Sequence, residues 1–289
     1  MHQEEITMHL TSLHTHTFYC DGKYSAEDMI LAAIKNNMQS IGISTHGPTP
    51  FISDWNIKND DIDKYINEIK QLKEKYKNNI EIYLGMEVDY IPGIGFDDFA
   101  LETIKKLDYY VGSLHYLGKF KNGLMWTVDY DLNELLRGID ESFGGNKRLA
   151  LETYYDLIAE MAFRYEPPVI GHLDLFKKNN KDNIIFDERE DWYVNAVDKC
   201  LNVIKNTPCV IEINTGGISR GYIDEQYPST FIIKMILEKG IPVIINSDAH
   251  TTDGIICKFD EMYKLIYDIG FRKSSYLTKN GWQEQMIEI

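Results

Sequence analysis

Six of the chain's eight histidines stand where an apolar, β-rich run gives way to polar residues. They are His14 and His16 in LHTHT, His46 in ISTHG, His115 in GSLHY, His172 in IGHLD and His250 in NSDAH. Histidine is the commonest metal ligand in proteins, and strand ends are where α/β enzymes keep their chemistry. Core histidines would not return to that place at five separate strand ends. Two carboxylates share the position, Glu87 in GMEVD and Asp248 in SDAH, and Asp21 follows the first strand in the loop CDGKYS. The i, i+2 spacing of His14 with His16, and of Asp248 with His250, puts each pair on one face of a strand. His2 and His9 fall outside the pattern.

A zinc ion takes about four ligands. Nine candidates therefore suit two or three divalent ions, with Glu87 or Asp248 as the bridge. Three such ions would bring six positive charges, and the three carboxylates return three. An open site of that kind is net cationic inside an acidic protein. It draws a phosphate ester, and clustered metals serve phosphoryl hydrolysis. A single HxH pair, or one glutamate at a strand end, is more often an ordinary loop or capping residue. The convergence of several strand ends carries the inference.

The elements that must position these residues are legible as alternating patterns. Apolar runs fall at 8–14, 40–45, 80–88, 109–115, 168–173, 209–214 and 241–247. Amphipathic stretches lie between them, among them 25–37, 61–78, 189–206 and 229–240. Ser25 with Asp28 forms a capping-box pattern, and Gly240 fits a helix stop. Strands alternating with helices predict parallel βαβ units. Continuous apolar strands predict a covered sheet, either a barrel or a doubly wound sheet. The polar stretches 119–148 and 174–191 read as loop insertions, the first a loop or lid. No internal repeat or linker divides the chain, so residues 1–289 are expected to form one domain, with 1–7 an extension ahead of Met8.

The net charge of −15 argues against a nucleic-acid backbone or an anionic membrane as partner. No run of 18 apolar residues predicts a membrane span. The N-terminus lacks the pattern of a signal peptide. Cys20, Cys200, Cys209 and Cys257 show no CxxC spacing and read as reduced thiols, so a cytoplasmic protein is expected.

The motifs HTHTFYCDG, STHG, GMEVDY, GSLHY, GHLD and NSDAH resemble, in order and spacing, the polymerase-and-histidinol-phosphatase (PHP) superfamily. IGHLDLFKK and EINTGGISRGYIDEQYPS resemble its histidinol-phosphatase branch, and the likeness runs from about residue 9 to 275. The resemblance implies an α/β fold, a distorted (β/α)₇ barrel. It implies three divalent ions, with zinc, manganese and iron all known in the family. Carried over by position, His14, His16, Glu87 and Asp248 would hold the first ion. Glu87, His115 and His172 would hold the second, and Asp21, His46 and His250 the third. The implied reaction is hydrolysis of L-histidinol phosphate in histidine biosynthesis by a metal-activated hydroxide, with Asp248 or His250 assisting the leaving oxygen. Arg220, and Lys178 or its neighbour Lys177, would grip the phosphate. Asp89 and Glu212 are candidates for the substrate amine; Tyr90, Tyr116 and Trp126 are candidates for its imidazole. The alternatives are another PHP-type phosphoesterase, a 3′–5′ nuclease, or a non-catalytic metal-binding protein.

Overall fold

A computed structural model describes residues 9–288. The extension expected at 1–7 and the start at Met8 lie outside the described residues. Two parallel sheets form the centre. One holds β1 (Thr11–Ser12), β2 (Ser40–Ile43) and β3 (Glu81–Leu84) in that order. The other holds β4 (Glu87–Asp89), β5 (Val111–Ser113), β8 (Val169–Ile170), β9 (Val210–Asn214) and β10 (Val243–Asn246), in the order β10-β9-β8-β5-β4. β6 (Tyr116–Lys119) and β7 (Met125–Thr127) form a hairpin, as do β11 (Lys273–Thr278) and β12 (Gly281–Met286).

Among the described residues, no continuous ladder joins the two sheets. At one seam Thr15 bridges Ala249, and at the other His46 bridges Glu87, both in parallel sense. Leu13 N also donates to Asn246 Oδ1 at 2.8 Å across the first seam. β3 and β4 belong to one run broken at Gly85–Met86, so the seven expected strands are arranged as a distorted α/β barrel whose two seams carry isolated bridges rather than ladders.

Helices clothe the outside: α1 (Ala26–Lys35), α2 (Ile62–Tyr76), α3 (Asp98–Ile104), α4 (Leu132–Phe143), α5 (Lys147–Tyr165), α6 (Asp191–Ile204), the short α7 (Gly216–Ser219), α8 (Thr230–Glu238) and α9 (Phe259–Ile269). Sequence chemistry sets their ends. Ser25 and Asp28 make the reciprocal capping box of α1, whose Ala26, Met29, Ile30 and Ala33 form the buried stripe. Strand alternation divides the core. Leu13, Val111, Val169, Val210 and Ile244 fill a small cluster separate from the larger apolar layer that includes Ile211, Ile213, Val243 and Ile245. Along β9, Val210 belongs to the small cluster, and Glu212 and Asn214 follow it on the same face at i+2 and i+4. The barrel axis thus changes from apolar to polar toward the C-terminal strand ends.

Residues 119–148 are not a loop. They complete the hairpin β6–β7, form α4 and open α5. Asp131 caps α4 through Glu134 N, and Gly144 ends it at φ 60°. Trp126 is fully buried and donates to Ser142 Oγ at 2.9 Å, locking the hairpin onto α4. Residues 174–191 carry two 3₁₀ turns, Leu175–Asn179 and Lys181–Asn183.

Candidate metal centre

The parallel barrel delivers all nine expected ligands to one end. His14 and His16 follow β1, His46 follows β2, and Glu87 opens β4. His115, His172 and Asp248 with His250 follow β5, β8 and β10. Asp21 comes from the turn after His16, and Gly22 packs against the Thr17 backbone there. All are buried except Asp21. Asp248 sits at φ 47°, a left-handed backbone unusual for a residue with a side chain, of the kind concentrated at functional sites.

Glu87 is the hub. Its Oε2 lies 3.1 Å from His14 Nε2, 3.4 Å from His16 Nε2 and 3.0 Å from His46 Nδ1. Its Oε1 lies 2.9 Å from His172 Nε2 and 3.6 Å from His115 Nε2. Asp248 Oδ1 is 3.1 Å from His16 Nε2 and 3.5 Å from His250 Nδ1. Asp21 reaches His250 Nε2 at 3.2 Å and His46 Nε2 at 3.7 Å.

Four ligand-sized groups result: His16, Asp21, His46 and His250; His14, Glu87 and His172; His14, His16 and Asp248; and His46, Glu87 and His115. They share members, so they describe one bridged centre. The ligand sets inferred from resemblance differ in detail, because His16 also joins the Asp21 group and His46 also reaches Glu87.

The donor atoms fit metal ions. His14 Nε2, His16 Nε2, His46 Nδ1 and Glu87 Oε2 are buried, converge on one another and lack a hydrogen-bond partner. A native fold seldom leaves one such atom unpaired, let alone four together. Burial, with His250 and His46 nearby, pushes His16 down to about 3, which leaves its ring neutral and able to ligate. Burial works against protonating His115, yet Asp89 and Glu87 raise it to about 10. Binding there must displace a proton, so metal occupancy falls as pH drops.

A surrounding set of polar groups orients the ligands. His14 Nδ1 donates to Glu212 Oε2 at 2.9 Å, and His115 Nδ1 donates to Asp89 Oδ1 at 2.6 Å. Each bond fixes a tautomer with Nε2 facing inward. Glu212 also accepts from His172 N, Asn214 Nδ2 and Asn246 Nδ2. Glu212 and Asp89 are therefore spent on histidines, and neither lines the substrate cavity as expected for an amine partner.

That cavity holds about 310 Å³ above the metal ligands. Arg220 and Lys178 both line it. Arg220 Nη2 donates to Asp248 Oδ2 at 2.9 Å, and Lys178 Nζ lies 4.3 Å from the centre of the Tyr222 ring. Lys177 does not line it. Its buried ammonium donates to Glu225 Oε2, Gln226 O and Ser229 Oγ at 2.8–2.9 Å, because successive residues of a 3₁₀ turn point apart. The expected aromatics also miss. Tyr90 and Trp126 are core residues, and Tyr116 lies under Trp55. Trp55, Tyr130 and Tyr222 line the cavity instead. All three come from loops without periodic pattern, so nothing in the sequence distinguished them.

An α/β barrel with a shared cluster of histidine and carboxylate ligands at its C-terminal strand ends defines a metal-dependent hydrolase class. The chain belongs to the PHP domain family: that family's model matches residues 12–216. It is 28% identical over 273 residues to a protein of Deinococcus radiodurans named probable histidinol-phosphatase, covering 92% of this chain and 96% of that one. It is 28% identical over 258 residues to the histidinol-phosphatase of Bacillus subtilis, covering 82% and 92%. Among solved structures, the histidinol phosphate phosphatase of Lactococcus lactis, in complex with zinc, L-histidinol and phosphate, superposes with a TM-score of 0.72. Identity there is 16%, over 95% of this chain and 99% of that one, so this match bears on the fold.

Proposed function

We propose that the protein is a metal-dependent phosphomonoesterase that converts L-histidinol phosphate and water into L-histidinol and inorganic phosphate, a step of histidine biosynthesis in the cytoplasm. One observation carries the reading. Unpaired, buried ligand atoms of His14, His16, His46 and Glu87 converge beneath a small cavity that also presents Arg220 and Lys178. The relatives named histidinol-phosphatase, matched over nearly their whole length, support the substrate.

The nine ligands would hold three divalent ions, zinc, manganese or iron. Such ions supply Lewis acidity and a nucleophilic water at neutral pH. The remaining chemistry belongs to the chain. Arg220 and Lys178 bind phosphate oxygens, with Arg220 held in place through Asp248. Their fixed charge stabilises the equatorial oxygens as negative charge develops. His250 lies at the cavity with its Nε2 3.2 Å from Arg220 Nη1. As ligands, it and Asp248 have no proton of their own to give, so the leaving oxygen takes its proton from the attacking water. Glu212 and Asp89 keep His14 and His115 aimed inward. The small cavity suits a small ester better than an extended nucleic-acid strand.

The test is phosphate release from L-histidinol phosphate by purified protein, before and after chelation. Activity is expected before and lost after, with return on metal addition. Full activity after complete metal removal would overturn the reading. So would hydrolysis of single-stranded DNA in preference to histidinol phosphate.

A further inference from the structure

The metal centre and the two cations account for a phosphate, but they leave one side of the cavity unexplained. Apart from the ligands Asp21, Glu87 and Asp248, Asp129 is the one carboxylate lining the cavity among the described residues. Its neighbour Tyr130 lines it too and is 65% exposed, although it is aromatic. Trp55 completes the group, its ring stacked on Tyr116 with centroids 5.6 Å apart and planes 16° apart.

Asp129 is neither a loose surface acid nor a committed structural one. Its backbone is anchored just before it: Val128 N donates to His115 O at 2.9 Å, and Val128 O accepts from Asn179 Nδ2 at 3.1 Å. The side chain is one-quarter exposed and faces Lys178 Nζ at 3.7 Å. That separation is beyond hydrogen-bonding distance. The two form an ion pair without a hydrogen bond, loose enough to open so that each takes the opposite charge of a bound zwitterion.

We infer that Asp129, with Trp55 and Tyr130, forms a subsite for an organic cation carrying a planar ring, and that this subsite makes the enzyme selective for such phosphate esters. The inference rests on the proposed phosphatase reading. Asp129 takes the ligand's ammonium while Lys178 turns to its phosphate. Trp55 and Tyr130 take the ring, since aromatic faces accept planar and cationic groups alike. The subsite comes from the segment after β7 and from the loop after β2. Neither segment supplies a metal ligand beyond His46.

The test compares L-histidinol phosphate with the corresponding imidazolylpropyl phosphate that lacks the amine. Wild-type kcat/KM should favour the aminated ester by ten-fold or more, and Asp129→Asn should shrink that preference toward one. As a second readout, the inhibition constant of L-histidinol should rise more in Asp129→Asn than that of inorganic phosphate. Equal use of the two esters by the wild type overturns the subsite without any variant. A preference kept intact in Asp129→Asn overturns the role of that residue while leaving the phosphatase reading standing. Failure of the wild type to hydrolyse histidinol phosphate at all overturns both.

Discussion

Replacing Glu212 by glutamine tests whether the ligands are held by their surroundings or only by the metals. Glu212 is 0% exposed and stands among donors alone. Oε1 faces His172 N at 2.7 Å and Asn214 Nδ2 at 2.7 Å; Oε2 faces His14 Nδ1 at 2.9 Å and Asn246 Nδ2 at 2.9 Å. An amide NH₂ placed on either side meets two N–H groups. At least two bonds to a charged acceptor are lost, each worth about 1.5–3 kcal/mol. The metal-free protein should lose roughly 3–5 kcal/mol, a loss comparable to breaking a buried ion pair. At about 2–4 °C per kcal/mol, Tm falls by roughly 10 °C. With His14 no longer fixed in its tautomer, metal affinity should drop about 10–100-fold. Acidity gives an independent check. Burial raises the Glu212 carboxyl, but His14 and the bonds it accepts outweigh that and hold it below the ordinary glutamate range. A depressed carboxyl stabilises the fold above its unfolded pKa and loses that contribution as pH falls through its folded pKa. The gap between wild type and Glu212→Gln should therefore narrow on acidification. Calorimetry of the chelated proteins across pH, with elemental analysis of the loaded ones, measures all three effects. A variant with wild-type Tm and wild-type metal retention would refute the argument.

Arg220→Ala should lower kcat/KM for the phosphate ester about ten-fold or more, read from steady-state kinetics; unchanged kinetics remove Arg220 from the site. Gly216→Ala should cost about a hundred-fold in activity, because its new Cβ would lie 2.6 Å from Asp248 Oδ2 and must push that carboxylate aside. Normal turnover by Gly216→Ala would mean that Asp248 tolerates displacement. Thiol labelling should be selective. Burial and Asp21 raise Cys20 to about 11, and burial raises Cys209 to about 11 and Cys200 also. At pH 8 a thiol of pKa 11 is only about one part in a thousand thiolate, and reactivity climbs as pH rises toward that value. Cys20 and Cys257 are both half-buried, so the difference rests on the Cys20 thiol's contacts with His16, Thr17 and Thr45. Native protein should take up alkylating reagent first at Cys257, and equally rapid modification of Cys20 at pH 8 would contradict its raised pKa.

What the sequence disclosed about the site follows from how each residue reaches it. All the ligands but Asp21, which a turn brings back, sit within a few residues of apolar strand runs, and a parallel barrel sends all such ends to one face. A one-dimensional pattern therefore specified a three-dimensional cluster. Glu212 sat in full view inside CVIEIN, but the pattern could say only that an acid shares a strand with valine and isoleucine. Its partners His14 and Asn246 are 198 and 34 residues away, and only the folded barrel brings them together. Lys177 and Lys178 make the same point in reverse. Side by side in the chain and identical in type, they diverge in the turn, one to a buried network and the other to the cavity. The segment 119–148 was opaque for another reason. Its polar, glycine-containing composition hid two helix caps and a tryptophan whose burial depends on α4 lying across it. That hidden order matters to function, because it builds a hairpin and helices where a loop or lid was expected and gives Asp129 a defined position from which to select a substrate.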